Sequence, residues 1–204
     1  MEPEPGYKNH HHKQEGIAVK LHTIIASVRP TRIGPAVARW FHDYAVKHGK
    51  FDAELVDLLT FKLPIHDEPE HPRAGNYARE HTKAWSASVA AADAFAFVVP
   101  EYNFGPTPAL LNAFTFLLRE WAYKPCCFVS YGGLSGGTRS VQVTKLMVTG
   151  LRMMPMVEGV AIPMVFGMLS QDKQTFTPND LITTSAQQTL DELFKWATAL
   201  KTMR

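Results

Sequence analysis

Continuous apolar runs and longer mixed segments alternate along this chain. The apolar runs predict five strands, of which the run at residues 94–99 is typical of a fully buried strand. These strands lie at residues 19–26, 53–58, 94–99, 126–131 and within 156–165. The mixed segments carry helix signals at residues 34–48, 77–92, 108–119, 138–152 and from 177–180 to the C terminus. Strands that alternate with helices predict an α/β fold.

Helix boundaries support this division of the chain. Gly34-Pro35 is typical of a helix start and Gly49 of a helix end, while Thr107 is a capping residue before Pro108. Five strands joined by right-handed crossovers favour a doubly wound parallel sheet in the order 2-1-3-4-5. In that order the winding reverses between the first and third strands. We therefore expect a ligand in the loops at this edge of the sheet.

Composition narrows the class of protein. The chain has 204 residues, 46% of them hydrophobic, which suits one domain over residues 17–204 after a disordered polar tail at residues 1–16. A net charge of +2 argues against a nucleic-acid partner. Neither a bilayer-spanning apolar run nor an apolar signal core is present, so we expect a cytoplasmic protein that does not bind membranes.

Two groups of residues with metal or redox potential are interpreted as inert. Cys126 and Cys127 are adjacent, so in a strand they point to opposite faces and rarely form a disulfide. We interpret them as buried apolar residues, with a redox-active pair as the alternative. The histidines at positions 10–12 lie in the tail without a carboxylate or thiol partner, and we expect no metal site.

The loop after the first strand combines hydroxyls, arginines and a helix start. A helix N-terminus offers N–H donors and positive potential to an anion, and arginine matches phosphate geometry. Neither the P-loop nor the GxGxxG pattern is present, and an ordinary polar turn is the alternative. The predicted phosphate-binding residues are Ser27, Arg29, Thr31, Arg32, Ile33 and Gly34.

The loop after the third strand is polar, aromatic and closed by Gly105. Such a loop can present backbone N–H and C=O groups to a flat heterocycle, and a turn without a ligand is the alternative. Glu101 has no obvious His or acid partner, which disfavours a role as a catalytic acid or base. The predicted ring-binding residues are Pro100, Glu101, Tyr102, Asn103 and Phe104.

The loop after the fourth strand is rich in glycine, which allows close approach of its backbone to a ligand. Simple flexibility is the alternative. The predicted binding residues here are Ser130, Tyr131, Gly132 and Gly133, and Gly136-Gly137 follow. Together the three loops provide sites for one phosphate, one sugar-like chain and one ring, which indicates FMN rather than a dinucleotide. With no catalytic constellation visible, we expect the cofactor to carry the chemistry.

Five segments carry a resemblance to a known family. They are SVRPTRIG, LPIHDEP, PEYNFGPTPALLNA, EWAYKP and VSYGGLSGGTRS. On these motifs residues 20–200 resemble the NADPH-dependent FMN reductases, which are flavodoxin-like quinone, azo-dye and chromate reductases. The family's helix after PEYN often carries a lysine and an acid where this chain has Leu111 and Thr115, so we expect that helix to serve packing and subunit contact.

The resemblance implies a function. We expect an FMN-dependent oxidoreductase that passes electrons from NADPH or NADH, by ping-pong hydride transfer, to quinones, free flavin, azo compounds or metal oxyanions. It also implies a homodimer or homotetramer. In such proteins the first loop holds the FMN phosphate, the PEYN loop borders the ring, and the SYGG loop borders the ring and ribityl chain.

Finer expectations and two alternatives complete this interpretation. An N–H within residues 103–105 would contact the N5 or O4 edge of the ring, and the helix start at 137–138, with Arg139, would face negative charge on the reduced ring. We expect the loop at residues 63–72, through Ile65, to cover a cleft or a partner subunit. The alternatives are a flavin-dependent redox sensor and a flavodoxin-like electron carrier.

Overall fold

The computed structural model describes residues 19–204, so the predicted tail and the histidines at positions 10–12 lie outside the described residues. In chain order the elements are β1 (Val19–Ile25), α1 (Gly34–His48), β2 (Phe51–Asp57), α2 (Leu58–Phe61), α3 (Glu80–Ala91), β3 (Ala94–Pro100), α4 (Pro108–Thr115), β4 (Pro125–Tyr131), α5 (Thr138–Gly150), β5 (Met154–Pro155), β6 (Val160–Ile162) and α6 (Asp180–Leu200).

The strands form one parallel sheet in the order β2-β1-β3-β4-β5, and β6 also pairs with β4. This confirms the doubly wound, flavodoxin-like α/β fold. The single predicted fifth strand is two short strands, because Met154 pairs with Pro125 and Val160 with Val129, and the ladder is interrupted between them.

Apolar clusters cover both faces of the sheet. Along β3, alternate residues point to opposite faces, so Ala94, Ala96 and Val98 join one cluster and Phe95 and Phe97 join the other. The small side chains face α1 and α6, whereas the aromatic side chains pack among the residues of α3, α4 and α5. The inner strands β1, β3 and β4 are thus buried on both faces, whereas the edge strand β2 is partly exposed.

Helix ends differ from the prediction in several places, and the predicted helix at residues 77–92 begins only at Glu80. The predicted helix at residues 108–119 ends at Thr115, and a separate 3₁₀ turn, Arg119–Trp121, follows it. That turn buries Trp121 against Trp85, with 5.7 Å between the ring centroids. At the predicted start of the last helix, Asn179 is the capping residue, and its side chain accepts from the N–H of Ile182.

Candidate active site

The three predicted loops meet at the carboxyl edge of the sheet around a cavity of about 300 Å³. This volume lies at the lower end of the range for small-molecule sites. Ten of the predicted residues line the cavity: Ser27, Arg29, Arg32, Ile33, Pro100, Glu101, Tyr102, Tyr131, Gly132 and Gly133. Two lining residues, Val165 and Phe166, were not predicted.

The other five predicted residues lie beside the cavity lining. Gly34 and Ser130 are buried beneath it, in α1 and β4 respectively. Thr31, Asn103 and Phe104 are exposed on their loops. The structure therefore brings all three loops together, but it separates the residues that face the cavity from those that support the loops.

Arg32 is held by protein groups within the first loop. Its Nη1 and Nη2 atoms donate to the two carboxylate oxygens of Asp57, at 2.7 and 2.5 Å, and Nη1 also donates to the Ser27 carbonyl at 2.5 Å. This bidentate pair ties the first loop to the end of β2. Since Asp57 balances the charge of Arg32, the exposed Arg29 is the stronger candidate for contact with an anion.

A close contact beneath the first loop explains the glycine at position 34. The Tyr131 hydroxyl donates to Ser27 Oγ at 3.4 Å. A Cβ atom on Gly34 would lie 2.5 Å from Ser27 Oγ and 2.7 Å from Tyr131 Oη, so any side chain would displace this pair. Burial raises the pKa of Tyr131 to about 12, which keeps the phenol protonated at neutral pH.

Helix α1 directs its N-terminus at the same loop. It begins at Gly34 with Ile33 at the cap position, and among the described residues no side chain caps it. The first N–H groups of a helix and its dipole together favour an anion. The first loop thus combines an uncapped helix start, the Ser27 hydroxyl and the Arg29 guanidinium, which is donor chemistry suited to a phosphate.

The second loop is a tight two-residue hairpin. The amide of Tyr102 donates to the carbonyl of Gly105 and that of Gly105 to the carbonyl of Tyr102, both at 2.9 Å. Asn103 and Phe104 adopt left-handed backbone angles, with φ of 50° and 68°. For a phenylalanine this conformation costs about 1–2 kcal/mol. The Gly105 N–H is used within the hairpin, so the predicted contact to a ring edge narrows to the N–H groups of Asn103 and Phe104.

Glu101 joins the second loop to the third. It accepts from Arg139 Nε at 2.6 Å and from Ser135 Oγ at 3.0 Å. Arg139 holds the pKa of Glu101 below its usual value, so the carboxylate is ionised at neutral pH and is a poor proton donor. The positive charge of Arg139, which we predicted to face the ring from the start of α5, is therefore balanced by Glu101.

The third loop is braced by the turn that follows β6. The amides of Met164 and Val165 donate to the carbonyls of Gly133 and Gly132, at 2.8 and 3.1 Å. These bonds place Val165 and Phe166 at the cavity. The only sequence signal for them was an aromatic residue directly after the predicted fifth strand. Gly137 has a φ of 78°, and a Cβ there would lie 2.9 Å from the Tyr131 carbonyl oxygen.

Two residues at helix α4, which follows the PEYN segment, hold neighbouring segments of the chain in place. Thr107 caps α4 and donates through Oγ1 to the Ala26 carbonyl at 2.6 Å, which ties α4 to the end of β1. Asn112 donates to the Pro64 carbonyl at 2.5 Å and accepts from the His66 N–H at 3.0 Å. Between those bonds Ile65 is 90% exposed.

Other chemistries find less support within residues 19–204. No group of three His, Cys, Asp or Glu side chains in this part of the chain is arranged to hold a metal ion. The same residues include no helix with the length and apolar character needed to cross a membrane. Cys126 and Cys127 are free, buried and on opposite faces of the sheet, and burial raises the pKa of both thiols.

Comparison with known proteins places the chain among flavin reductases. Residues 19–167 match the family profile described as NADPH-dependent FMN reductase. An NAD(P)H-dependent FMN reductase of Schizosaccharomyces pombe is 39% identical over 150 residues, which cover 72% of this chain and 75% of the relative. An NAD(P)H-dependent FMN reductase of Saccharomyces cerevisiae is 32% identical over 160 residues, which cover 73% of this chain and 83% of the relative.

The fold has close counterparts among solved structures. FerB, a flavoenzyme NAD(P)H:(acceptor) oxidoreductase from Paracoccus denitrificans, superposes with a TM-score of 0.72 at 16% identity. The match covers 89% of this chain and 98% of FerB, and at this identity it shows the fold alone. The family match, by contrast, spans most of the chain and is supported by both fungal relatives, so this chain belongs to the NADPH-dependent FMN reductase family.

Proposed function

We propose that this chain is an FMN-dependent oxidoreductase that takes electrons from NADPH or NADH and passes them to small-molecule acceptors. The observation that carries the proposal is the cavity at the carboxyl edge, which the loop before α1 and the second and third loops line together. This is the edge at which doubly wound sheets bind nucleotides.

The residues at the cavity fit the parts of FMN. The first loop suits the phosphate, through the Ser27 hydroxyl, the Arg29 guanidinium and the N–H groups at the start of α1. The hairpin suits the edge of the ring, and the backbone at Gly132-Gly133 suits the ring and ribityl chain. A Cβ on Gly133 would meet no protein atom within 4 Å, which leaves room beside this backbone for a ligand.

The protein's part in the reaction is to bind and orient. When bound, FMN supplies a centre that accepts and donates hydride. Tyr131, protonated at neutral pH, fixes Ser27 beneath the first loop, and Arg32 fixes the loop to β2. In this proposal both groups hold the first loop in place, and neither transfers a proton to the acceptor.

A single open face suits a ping-pong order of substrates. Phe104 and Phe166 are 61% and 62% exposed at this edge, so flat apolar molecules have access. NAD(P)H and the acceptor would occupy the same face in turn. Quinones, free flavin, azo compounds and metal oxyanions are the acceptors we propose, and the cytoplasm is the proposed location.

The visible spectrum of the purified protein tests the proposal. We expect flavin absorption bands, bleaching when NADPH is added without oxygen, and recovery when a quinone follows. Slow bleaching without turnover would favour the sensor alternative. A colourless protein that added FMN does not reconstitute would contradict the proposal altogether.

The proposed homodimer or homotetramer has a separate test. Asn112 holds the loop that displays Ile65, so an isoleucine there suits a subunit contact. We expect Ile65→Asp to reduce the size of the oligomer in gel filtration, whereas Leu181→Asp, at another exposed apolar position on α6, leaves it unchanged. An unaltered oligomer in Ile65→Asp would exclude this loop from the interface.

A further inference from the structure

We propose that Glu101, Arg139 and Phe104 form a clamp that positions the hairpin at residues 102–105 over the cavity, with Arg139 as a positioning residue for electron transfer. The inference rests on the proposed function, because the hairpin matters only if it borders a bound ring. It gives a positioning role to three residues that contact one another across the second and third loops.

The clamp connects two loops that are far apart in sequence. Glu101 lies at the end of β3 and Arg139 in the first turn of α5, 38 positions later. Arg139 donates through Nε to Glu101 at 2.6 Å, and its Nη2 also contacts the same carboxylate. The guanidinium carbon lies 3.9 Å from the centroid of the Phe104 ring. One arginine therefore holds both the base and the tip of the hairpin.

Burial of the carboxylate, but not of the half-exposed arginine, distinguishes this ion pair from the surface pairs of the molecule. The Glu101 side chain is 8% exposed, whereas Glu192 in the Lys195–Glu192 pair on α6 is 34% exposed. Ser135 Oγ donates to the second carboxylate oxygen of Glu101, so the carboxylate has one fixed orientation. A carboxylate whose two oxygens are both bound restrains the backbone of its own residue. The backbone of Glu101 leads directly into the hairpin, so the hairpin is restrained as well.

The hairpin needs such support because its tip is strained. Phe104 holds a left-handed backbone angle that phenylalanine rarely adopts, and its ring is largely exposed. The exposed ring buries little apolar surface that would compensate for the strain. The guanidinium over its face provides a cation–π contact, which favours the strained conformation. Without the clamp we expect the hairpin to relax away from the cavity.

The consequence for the reaction is a loss of alignment. The N–H groups of Asn103 and Phe104 are the proposed contacts to the ring edge, and small misplacements of reacting groups reduce rates strongly. Binding of FMN depends mainly on the first loop, on the other side of the cavity. A broken clamp should therefore lower kcat more than it raises the Kd for FMN or the KM for NADPH.

Hydrogen exchange of the protein without added cofactor provides a test that does not depend on activity. We expect Glu101→Gln and Arg139→Lys each to increase the exchange rate of the peptide that contains residues 102–105. Arg139→Lys keeps the charge but loses the planar group that reaches carboxylate and ring together. Lys195→Met, which removes the surface pair on α6, is the matched control and should leave that peptide unchanged.

Kinetics complete the experiment. We expect kcat to fall about tenfold in both clamp variants, while the KM for NADPH and the Kd for FMN change less than about threefold. Phe104→Leu keeps the left-handed backbone strain and loses the aromatic ring. Its kcat should lie between that of the two clamp variants and that of the wild type. Unchanged exchange and unchanged kcat in an FMN-binding, active background would overturn the clamp alone. A wild-type protein that binds no FMN would instead overturn the proposed function.

Discussion

The two ends of the parallel sheet use charged residues in opposite ways. At the amino end the charges bind each other: Asp93 accepts from the Lys20 amide at 2.9 Å and from Lys201 Nζ at 2.8 Å. Lys124, also at this end, donates to the carbonyls of Val89 and Ala90, which end α3. These charged groups therefore stabilise the fold by joining β1, the end of α3 and the end of the chain.

At the carboxyl end one arginine is bound by the protein and a neighbouring one faces a cavity. Arg32 is fixed by Asp57, whereas Arg29 lines the open space beside the start of α1. The difference teaches that charge alone does not mark a site. A site is marked where a charged group, a helix start and an open volume coincide, as they do at the carboxyl end.

The largest effect is expected at the most closely packed point of the carboxyl end. Gly34→Val places a side chain where Ser27 and Tyr131 meet, and should weaken FMN binding at least about 100-fold, equivalent to about 2.7 kcal/mol. Fluorescence titration with FMN measures it. Gly150→Ala is the control, because a Cβ there meets no atom within 4 Å. Tight FMN binding by Gly34→Val would show that the first loop is not the phosphate site.

The two arginines of the first loop should respond differently. We expect Arg29→Gln to weaken FMN about 10- to 100-fold, as for loss of a charged hydrogen bond, and to leave riboflavin affinity unchanged because riboflavin lacks the phosphate. Arg32→Gln should instead lower the unfolding free energy, because it leaves Asp57 without its partner. Paired titrations with both flavins, and urea unfolding, distinguish the two. The comparison fails if Arg29→Gln weakens both flavins equally.

At the amino end the expected change is in stability only. Asp93→Asn removes the charge that binds Lys201 and Arg204, and should lower the unfolding free energy by about 2–3 kcal/mol. FMN affinity should stay at the wild-type value, since the cavity lies at the other end of the sheet. Thermal unfolding and flavin titration of the same preparation test both statements. Weaker FMN binding in this variant would mean that the two ends are coupled.

The smallest effect depends on pH. Burial lowers the pKa of Lys124 to about 8 from its ordinary value of 10.5. Between these values the unfolded chain keeps the proton that the folded protein has lost, so this group raises stability as pH increases. We expect the wild type to gain about 1 kcal/mol relative to Lys124→Met for each pH unit between these two values. Urea unfolding across that range measures the difference, and parallel curves for the two proteins would contradict it.

The sequence predicted the frame of the molecule better than its contacts. The alternation of strand and helix signals, together with the preference for right-handed crossovers, predicted the strand order, and family membership confirms the FMN and NAD(P)H cofactors that the motifs implied. The division of the last strand into β5 and β6 depends on how each part pairs with β4, which no local pattern records. The Arg32–Asp57 and Glu101–Arg139 pairs join residues 25 and 38 positions apart, so they required the tertiary structure.

The adjacent cysteines were interpreted correctly for a local reason, because a strand sends neighbouring side chains to opposite faces. Their placement has a practical consequence. Each sulfur is buried in a different apolar layer, and burial raises the pKa of both thiols. Alkylating reagents should therefore modify neither cysteine while the domain is folded. The rate of thiol labelling would then report how often each layer opens. Identifying which of the two cysteines is labelled would give the opening rate on each face of the sheet.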